Sequence, residues 1–197
     1  MPGWVGVFLA LGLCVPSTEG RAVDRDPGAG SRPRLTASAA SAAKEAARRD
    51  ASAMYDAFLS GDLERYASYT DPGLLKLLGG KEKLIATIEA GRPKMAANGI
   101  GFKSHEIGEV TQLVDAGGEL QAMLPRDQLM TMRGGEVHLL GYLLGVSRDG
   151  GKTWTFMDAE KVTPENVRMV LPTYDPRLKL PGPVEPRFVP KQRQTGT

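Results

Sequence analysis

Two histidines are the side chains best suited to acid–base chemistry near neutral pH or to metal binding. They are His105 and His138, and they fall on two different predicted strands. A metal site would also need a carboxylate such as Glu106 or Glu136, but neighbouring residues of a strand point to opposite faces of a sheet. These glutamates are therefore poorly placed to share a metal ion with the histidines. We predict no metal site, no bound cofactor and no catalytic residue from this set.

Four polar aromatic side chains are candidates for lining a pocket: Tyr55, Tyr69, His138 and Tyr142. A tyrosine on the apolar face of a helix is usually a core residue whose hydroxyl finds a hydrogen-bond partner, so its presence does not predict catalysis. His138 and Tyr142 share one face of a strand. This arrangement fits either a buried, hydrogen-bonded core histidine or a polar group at the mouth of a pocket.

The sharpest local motif is the segment 147–154, SRDGGKTW. Its aspartate can bond nearby backbone N–H groups, its glycines permit positive φ, and its tryptophan can cover the turn from the following strand. The motif resembles the Asp-box hairpin, S-x-D-x-G-x-x-W, of sialidases and related β-propellers, which repeat it on several blades. Because this chain carries one copy, we predict a structural turn formed by Ser147, Asp149, Gly151 and Trp154.

The elements that position these side chains begin with a helical half. The alanine-rich segment 36–59 has high helix propensity, and its apolar residues recur on one face. Asp62 and Asp71 are predicted N-caps of two short helices. A fourth helix follows the glycine pair at 79–80, and Gly91 and Pro93 predict its end.

After residue 99 the apolar period changes to two, and glycine pairs separate the segments. We predict four or five antiparallel strands, roughly over 100–106, 109–115, 119–132, 136–147 and 152–158. Proline has no N–H for a ladder bond, so Pro125 predicts a bulge or a sheet edge inside the long third strand.

The strand 137–144 is apolar on both of its faces. One face carries His138, Leu140, Tyr142 and Leu144, and the other carries Val137, Leu139, Gly141 and Leu143. The helices of one domain can cover only one face of such a strand. We therefore predict a homodimer through the sheet, with Leu139 and Leu143 facing outward toward the second copy.

The segment FLSGDLERYASYTDPGLLKLLGGKEKL, followed by strands that end in GVSRDGGKTWTFMD, resembles the nuclear transport factor 2-like (NTF2-like), or SnoaL-like, superfamily over about residues 39–172. The resemblance implies an α+β fold in which a cone-shaped, strongly curved antiparallel sheet wraps around N-terminal helices. It also implies a cone mouth that often holds a ligand, and dimers formed through the outer face of the sheet. No residue matches a catalytic motif of the isomerases in this superfamily, so no catalytic residue is carried over.

Composition divides the chain into four parts. Residues 1–22 are predicted to be a signal peptide, because the apolar run at 4–15 has signal-peptide length and is too short to span a bilayer. Residues 23–35 are predicted to be a disordered linker, 36–174 the folded domain, and 175–197 a proline-rich basic tail without regular structure. The single cysteine, Cys14, lies in the signal segment. We therefore expect an exported protein, periplasmic or secreted, with no membrane span after cleavage.

Three functions remain open at this point. Residues 36–174 hold 16 Lys and Arg against 18 Asp and Glu, so a nucleic-acid partner is disfavoured. The first hypothesis is a non-enzymatic module that binds a small apolar ligand or another protein. The second is an isomerase, cyclase or hydratase acting on a small apolar substrate in the cone. The third is a subunit of an envelope assembly that docks through the proline-rich tail.

Overall fold

The N-terminal part of the domain consists of four helices. The computed structural model describes residues 35–164, 166–182 and 184–191, and its first helices are α1 Ala37–Ser60, α2 Leu63–Ser68, α3 Pro72–Leu78 and α4 Lys81–Ala97. The two predicted N-caps are confirmed. Oδ1 of Asp62 accepts from the amide of Arg65 at 3.0 Å, and Oδ1 of Asp71 accepts from the amide of Gly73 at 2.8 Å. Each carboxylate satisfies an N–H group that a first helical turn leaves free.

Helix α4 continues past its predicted end. Gly91 and Pro93 lie inside the helix, which ends at Ala97, so the prediction of a stop at these residues is wrong. A proline inside a helix removes one hydrogen bond but does not prevent further turns. The real end is marked by Asn98, whose side-chain amide donates to the carbonyl of Lys94 at 2.8 Å.

The rest of the domain is a six-stranded antiparallel sheet that does not close on itself. Its strands are β1 Gly101–Ile107, β2 Gln112–Asp115, β3 Leu120–Met132, β4 Gly135–Ser147, β5 Thr155–Asp158 and β6 Arg187–Pro190. The two long strands β3 and β4 pair along their whole length. The short strands β1 and β2 share the free edge of β3, and β5 and β6 share the free edge of β4. The predicted α+β class, with helices before an antiparallel sheet, is confirmed.

Pro125 marks the point where β3 changes partners. Strand β3 shows no bulge against β4, because Pro125 pairs with Tyr142 in regular register. On the other edge, Pro125 lies between the residues that pair with β1 and those that pair with β2, and its carbonyl accepts from the amide of Gly108 at 2.9 Å. The nitrogen of Pro125, which carries no hydrogen, therefore lies at the gap between β1 and β2, where no backbone hydrogen bond is needed. Of the two predicted alternatives, the structure has the unpaired edge at Pro125 and not a bulge; a separate irregularity lies in β1, between Phe102 and Ser104.

The sheet has an inner face that packs against α1 and an outer face that does not. On the inner face, Leu124, Leu143 and Phe156 are buried with Met54 and Ala51 of α1. The prediction that Leu143 faces outward is therefore wrong, and Leu139, four residues earlier on the same strand, lies on the inner face with it. Alternation along β4 correctly separated two sets of residues but did not show which set meets the helices.

The outer face near the end of β4 is covered by the chain's own C-terminal segment. Met123 and Leu144 of the sheet are buried with Leu171, Tyr174 and Leu178, beyond a 3-10 helix, Ala159–Lys161, and a short helix α5, Val167–Val170. Because this segment covers apolar residues of the outer face, less apolar surface remains there for contact with a second copy. This packing also shows that residues near 174–178 belong to the core.

The prediction that the proline-rich tail lacks regular structure is wrong for its described part. Residues Arg187–Pro190 form β6, which pairs with β4 from Gly135 to His138. Leu178 is fully buried, and the amide of Lys179 donates to the side chain of Gln112 at 2.8 Å. The described part of the tail thus packs on its own domain, whereas composition alone suggested a free segment that could dock on a partner.

The predicted signal peptide and the predicted linker up to residue 34 lie outside the described residues. Among the helices that are described, none combines the length and the hydropathy needed to cross a membrane.

Candidate functional site

A buried arginine on the inner face of the sheet holds two carboxylates. Arg126 of β3 is about nine-tenths buried, with a side chain only 9% exposed. Its Nε donates to Oδ1 of Asp158 at 3.1 Å, and its Nη2 donates to Oε1 of Glu160 at 3.2 Å. Asp158 ends β5 and Glu160 lies in the 3-10 helix that follows. The guanidinium of β3 thus meets residues of two consecutive elements, and these residues lie more than 30 positions later in the sequence.

Two tyrosines stand beside this cluster. The guanidinium carbon of Arg126 lies 6.0 Å from the ring centre of Tyr55 on α1. Burial, reinforced by the negative charge of Asp158, raises the pKa of Tyr55 well above its ordinary value, and the same causes raise the pKa of Tyr66 on α2. Both hydroxyls therefore stay protonated at neutral pH, so they can donate hydrogen bonds but cannot act as bases or nucleophiles.

Electrostatics keep Arg126 charged inside the domain. Burial on its own would favour the neutral form, but Tyr55, Asp158 and Glu160 outweigh it and raise the pKa of Arg126 above its ordinary value. A buried guanidinium is stable only when its N–H groups are paired, and here two carboxylates do this. One guanidinium and two carboxylates leave the group with a formal charge of −1.

Gly141 provides the space for Glu160. A Cβ atom built on Gly141 would lie 1.5 Å from Oε1 of Glu160, so any larger residue would displace that carboxylate. Gly141 pairs directly with Arg126 in the sheet. Because Gly141 has no side chain, the carboxylate of Glu160 can lie over the strand at this position and reach Arg126.

The cluster reaches solvent through Asp158. Its side chain is 49% exposed, whereas that of Glu160 is 23% exposed. A molecule on the inner face could therefore meet a carboxylate backed by a buried guanidinium. The carboxylates can accept hydrogen bonds near the surface, and the hydroxyls of Tyr55 and Tyr66 are donors deeper in the domain. Such a combination suits recognition of a small polar group.

The four predicted pocket-lining residues do not come together. Tyr55 lies beside the Arg126 cluster, and Tyr69 is partly buried against the core that contains Tyr55. His138 and Tyr142 lie on the outer face, where Tyr142 packs against the C-terminal segment. Nδ1 of His138 lies 2.8 Å from Oδ2 of Asp127. Alternation along β4 placed His138 and Tyr142 on one face correctly, but it is the face opposite α1.

Sequence reasoning did not find Arg126, Asp158 or Glu160. A signal was available, because Arg126 interrupts a strand whose inner positions are otherwise apolar or uncharged, from Leu120 through Leu124. A charged residue at such a position needs a partner on the same face. Its partners lie more than 30 residues later, and sequence spacing did not indicate them.

A second polar group lies in a groove between α1 and β1. The groove has a volume of about 450 Å³ and includes Ser52 and His105 in its walls. Oγ of Ser52 is 3.3 Å from Nε2 of His105, and Oδ1 of Asp56 is 3.7 Å from the same nitrogen. A serine–histidine–aspartate relay needs the two partners on different ring nitrogens. This arrangement therefore does not form such a relay.

Metal-binding groups are not assembled in the described residues, which contain no cluster of three or more His, Cys, Asp or Glu side chains placed to hold an ion.

The predicted turn motif has the geometry that its residues indicate. Oδ1 of Asp149 accepts from the amides of Lys152 and Thr153, both at 3.0 Å, and from Oγ of Ser147 at 2.8 Å. Gly151 has φ of +92°, and a Cβ there would lie 2.5 Å from Cβ of Ala43. The motif is thus a tightly bonded turn that packs directly on α1.

Trp154 connects this turn to the core. Its side chain is buried, its Nε1 donates to the carbonyl of Gly151 at 3.2 Å, and its amide donates to Oδ2 of Asp50 at 3.1 Å. Asp50 is a buried carboxylate of α1 that sequence reasoning did not select. The turn is therefore held to the first helix by a backbone-to-side-chain hydrogen bond as well as by packing.

Acid is expected to weaken the turn through Asp149. Partial burial would raise the pKa of this carboxyl, but hydrogen bonds from Thr153, Ser147 and Lys152 outweigh it and hold the pKa well below the ordinary value of 3.8. A lowered pKa in the folded state adds stability that is full above the ordinary value and is lost as the pH falls below it. Asp149→Ala should cost about 1 to 2 kcal/mol at neutral pH.

Urea unfolding of the wild type and of Asp149→Asn from pH 7 to pH 2 measures this effect. The difference in unfolding free energy should be constant down to about pH 5 and should then shrink toward strong acid. A difference that is independent of pH would contradict the role given to the Asp149 carboxylate.

The fold and the site define an α+β protein with an open antiparallel sheet and an arginine–carboxylate cluster on its inner face. Comparison with protein-family models, with curated proteins and with solved structures finds no match to this chain.

Proposed function

We propose that the chain is an exported member of the NTF2-like superfamily that works as a non-enzymatic binding module for a small ligand. The succession of four helices and then an antiparallel sheet supports this family, as do the sequence segments that resemble it. The signal-like apolar run at residues 4–15 supports export. In this proposal the inner face of the sheet is the concave wall of a cone.

The ligand binds at the inner face, next to the Arg126 cluster. The observation that carries this proposal is a guanidinium that is nine-tenths buried while its partner Asp158 is half exposed on the same face. Val137 and Leu139 are partly buried and lie on that face, six and four residues before the buried Leu143. A ligand with an apolar body would cover these residues, and a hydroxyl or carbonyl group would meet Asp158 or a tyrosine hydroxyl.

One observation favours an enzyme as the alternative. The cluster groups a carboxylate that reaches solvent, Asp158, with Tyr55 and Tyr66, whose hydroxyls remain donors at neutral pH. An isomerase, cyclase or hydratase could use the carboxylate as a base and a tyrosine as a donor to the developing oxyanion. However, Arg126 engages Oδ1 of Asp158 through both Nε and Nη2, which stabilises a fixed ion pair. We therefore favour binding.

An NMR screen separates these two functions. Small apolar alcohols and ketones are added to the uniformly ¹⁵N-labelled chain, and amide shifts are followed. We expect at least one class of compound to shift the amides of Arg126, Gly141 and Asp158, and to remain chemically unchanged over days. Conversion of a bound compound that stops in Asp158→Asn would establish the enzyme instead. Shifts confined to other parts of the chain would refute the inner-face site.

A homodimer through the outer face remains a proposal, with a smaller contact surface than the sequence suggested. The C-terminal segment covers the end of β4 that carries Leu144, but Leu140 is 38% exposed on the same face, and Val189 of β6 is also exposed. Val189 pairs with Glu136 and so shares the outer face with Leu140. We propose that this exposed part of the outer face meets a second copy.

A charge at Leu140 is expected to separate the two copies. Leu140→Glu would place a carboxylate in the apolar contact, so the apparent mass at micromolar concentration should fall from dimer to monomer. Size-exclusion chromatography with light scattering measures this, with Leu77→Glu on the exposed surface of α3 as the matched control. A monomeric wild type, or a dimer that tolerates Leu140→Glu, would contradict the proposed contact.

A further inference from the structure

An open cleft separates the end of α1 from α4 and the start of β1. It has a volume of about 210 Å³ and lies apart from the Arg126 cluster, sharing no residue with it. Its apolar walls are formed by five side chains: Phe58, Leu59, Met95, Ile100 and Phe102. The rings of Phe58 and Phe102 meet edge to face, with centres 4.8 Å apart, so the cleft has a well-packed aromatic wall.

Arg92 is the charged residue of this cleft, and its charge has no acidic partner among the described residues. Its guanidinium carbon lies 5.0 Å from the ring centre of Phe58, and its Nη2 donates to the carbonyl of Phe58. Its Nε is buried and has no hydrogen-bond partner within the described part of the chain. By contrast, Arg126, whose side chain is only 9% exposed, holds two carboxylates.

The cation of Arg92 and the apolar walls together select a class of ligand. An arginine fork pairs with a planar carboxylate through parallel hydrogen bonds, which are among the stronger bonds available to it. Desolvated apolar walls add free energy in proportion to the hydrocarbon that they cover. A ligand that satisfies both has a carboxylate head and an alkyl chain of medium length.

We propose that this cleft binds the carboxylate of a medium-chain fatty acid, with Arg92 on the head group and the alkyl chain against Phe58, Met95 and Phe102. An alkylammonium of the same length would place like charges together and should not bind. An alcohol of the same length keeps the hydrophobic contact but loses the ion pair, and it should bind more weakly than the acid. The cleft would thus discriminate by charge as well as by length.

Isothermal titration of the full chain with octanoate, octylammonium and 1-octanol tests the charge preference. We expect octanoate to bind at least tenfold more tightly than 1-octanol and octylammonium to show no binding. Hexanoate should bind about 15-fold more weakly than octanoate, because two fewer methylene groups are buried. Equal binding of octanoate and octylammonium, or no binding of octanoate, would overturn the proposal.

Three variants locate the site. Arg92→Gln should weaken octanoate binding at least tenfold and leave 1-octanol binding within twofold. Met95→Trp keeps the arginine and fills the cleft, so it should abolish binding of both compounds, and its melting temperature shows whether the fold is intact. Arg65→Gln, on the exposed surface of α2, is the matched control and should bind octanoate like the wild type. Octanoate binding that survives both Arg92→Gln and Met95→Trp would place the ligand elsewhere and contradict the assignment.

Discussion

Trp154→Ala is expected to lower the free energy of unfolding by about 3 to 5 kcal/mol, because it removes a large buried side chain and leaves a cavity. The side chain is 2% exposed and belongs to the core cluster that includes Met54, Leu120 and Phe156. The substitution also removes the hydrogen bond from Nε1 to the carbonyl of Gly151. Both losses fall at the junction between the turn and α1.

Chemical denaturation of wild type, Trp154→Ala and Trp154→Phe measures this. Phenylalanine fills much of the cavity but lacks the Nε1 donor, so it should lose about 1 to 2 kcal/mol. If Trp154→Ala melts like the wild type but a bound compound is lost, the motif is a recognition site and the structural assignment is wrong.

Arg126→Met is expected to be the second most damaging change, with a loss of about 2 to 4 kcal/mol at neutral pH. It leaves the carboxylates of Asp158 and Glu160 close together without a cation, which is the costly way to break a buried ion pair. This loss of unfolding free energy should be smaller than for a fully buried ion pair, because Asp158 is half exposed and water screens its charge.

A double-mutant comparison shows whether this loss comes from the unpaired carboxylates. Arg126→Met combined with Glu160→Gln should be more stable than the sum of the two single losses predicts. Arg133→Met, in the exposed turn between β3 and β4, is the matched control and should stay within about 0.5 kcal/mol of the wild type. If the two losses simply add in the double variant, Arg126 and Glu160 do not stabilise the fold as a coupled pair, and the proposed coupling is wrong.

Local chemistry made much of the fold predictable. Asp62 and Asp71 start helices because their carboxylates reach amides two or three residues ahead, and such contacts depend only on neighbouring sequence. The Asp149 turn was predictable for the same reason. The long strands were visible because glycine pairs bound two long segments rich in apolar residues, and both β3 and β4 run for 13 residues.

Contacts between distant segments were harder to predict. Alternation along β4 separates Leu143 from Leu144, but only the packing of α1 and of the C-terminal segment shows which face each residue takes. The strand β6 was missed because its prolines suggested a free tail, while a short edge strand tolerates proline at its ends. Arg126 meets its two partners across three elements, so no local spacing could bring them together.

The most direct test of the central claim is a crystal structure of the full chain soaked with the compound that gives the largest shifts in the NMR screen. The binding-module account predicts density on the inner face, with the polar group of the compound within hydrogen-bond distance of Asp158 or of a tyrosine hydroxyl beside Arg126, and the apolar body against Leu139. Density at any other place, with the Arg126 cluster unchanged, would contradict the inner face as the binding site.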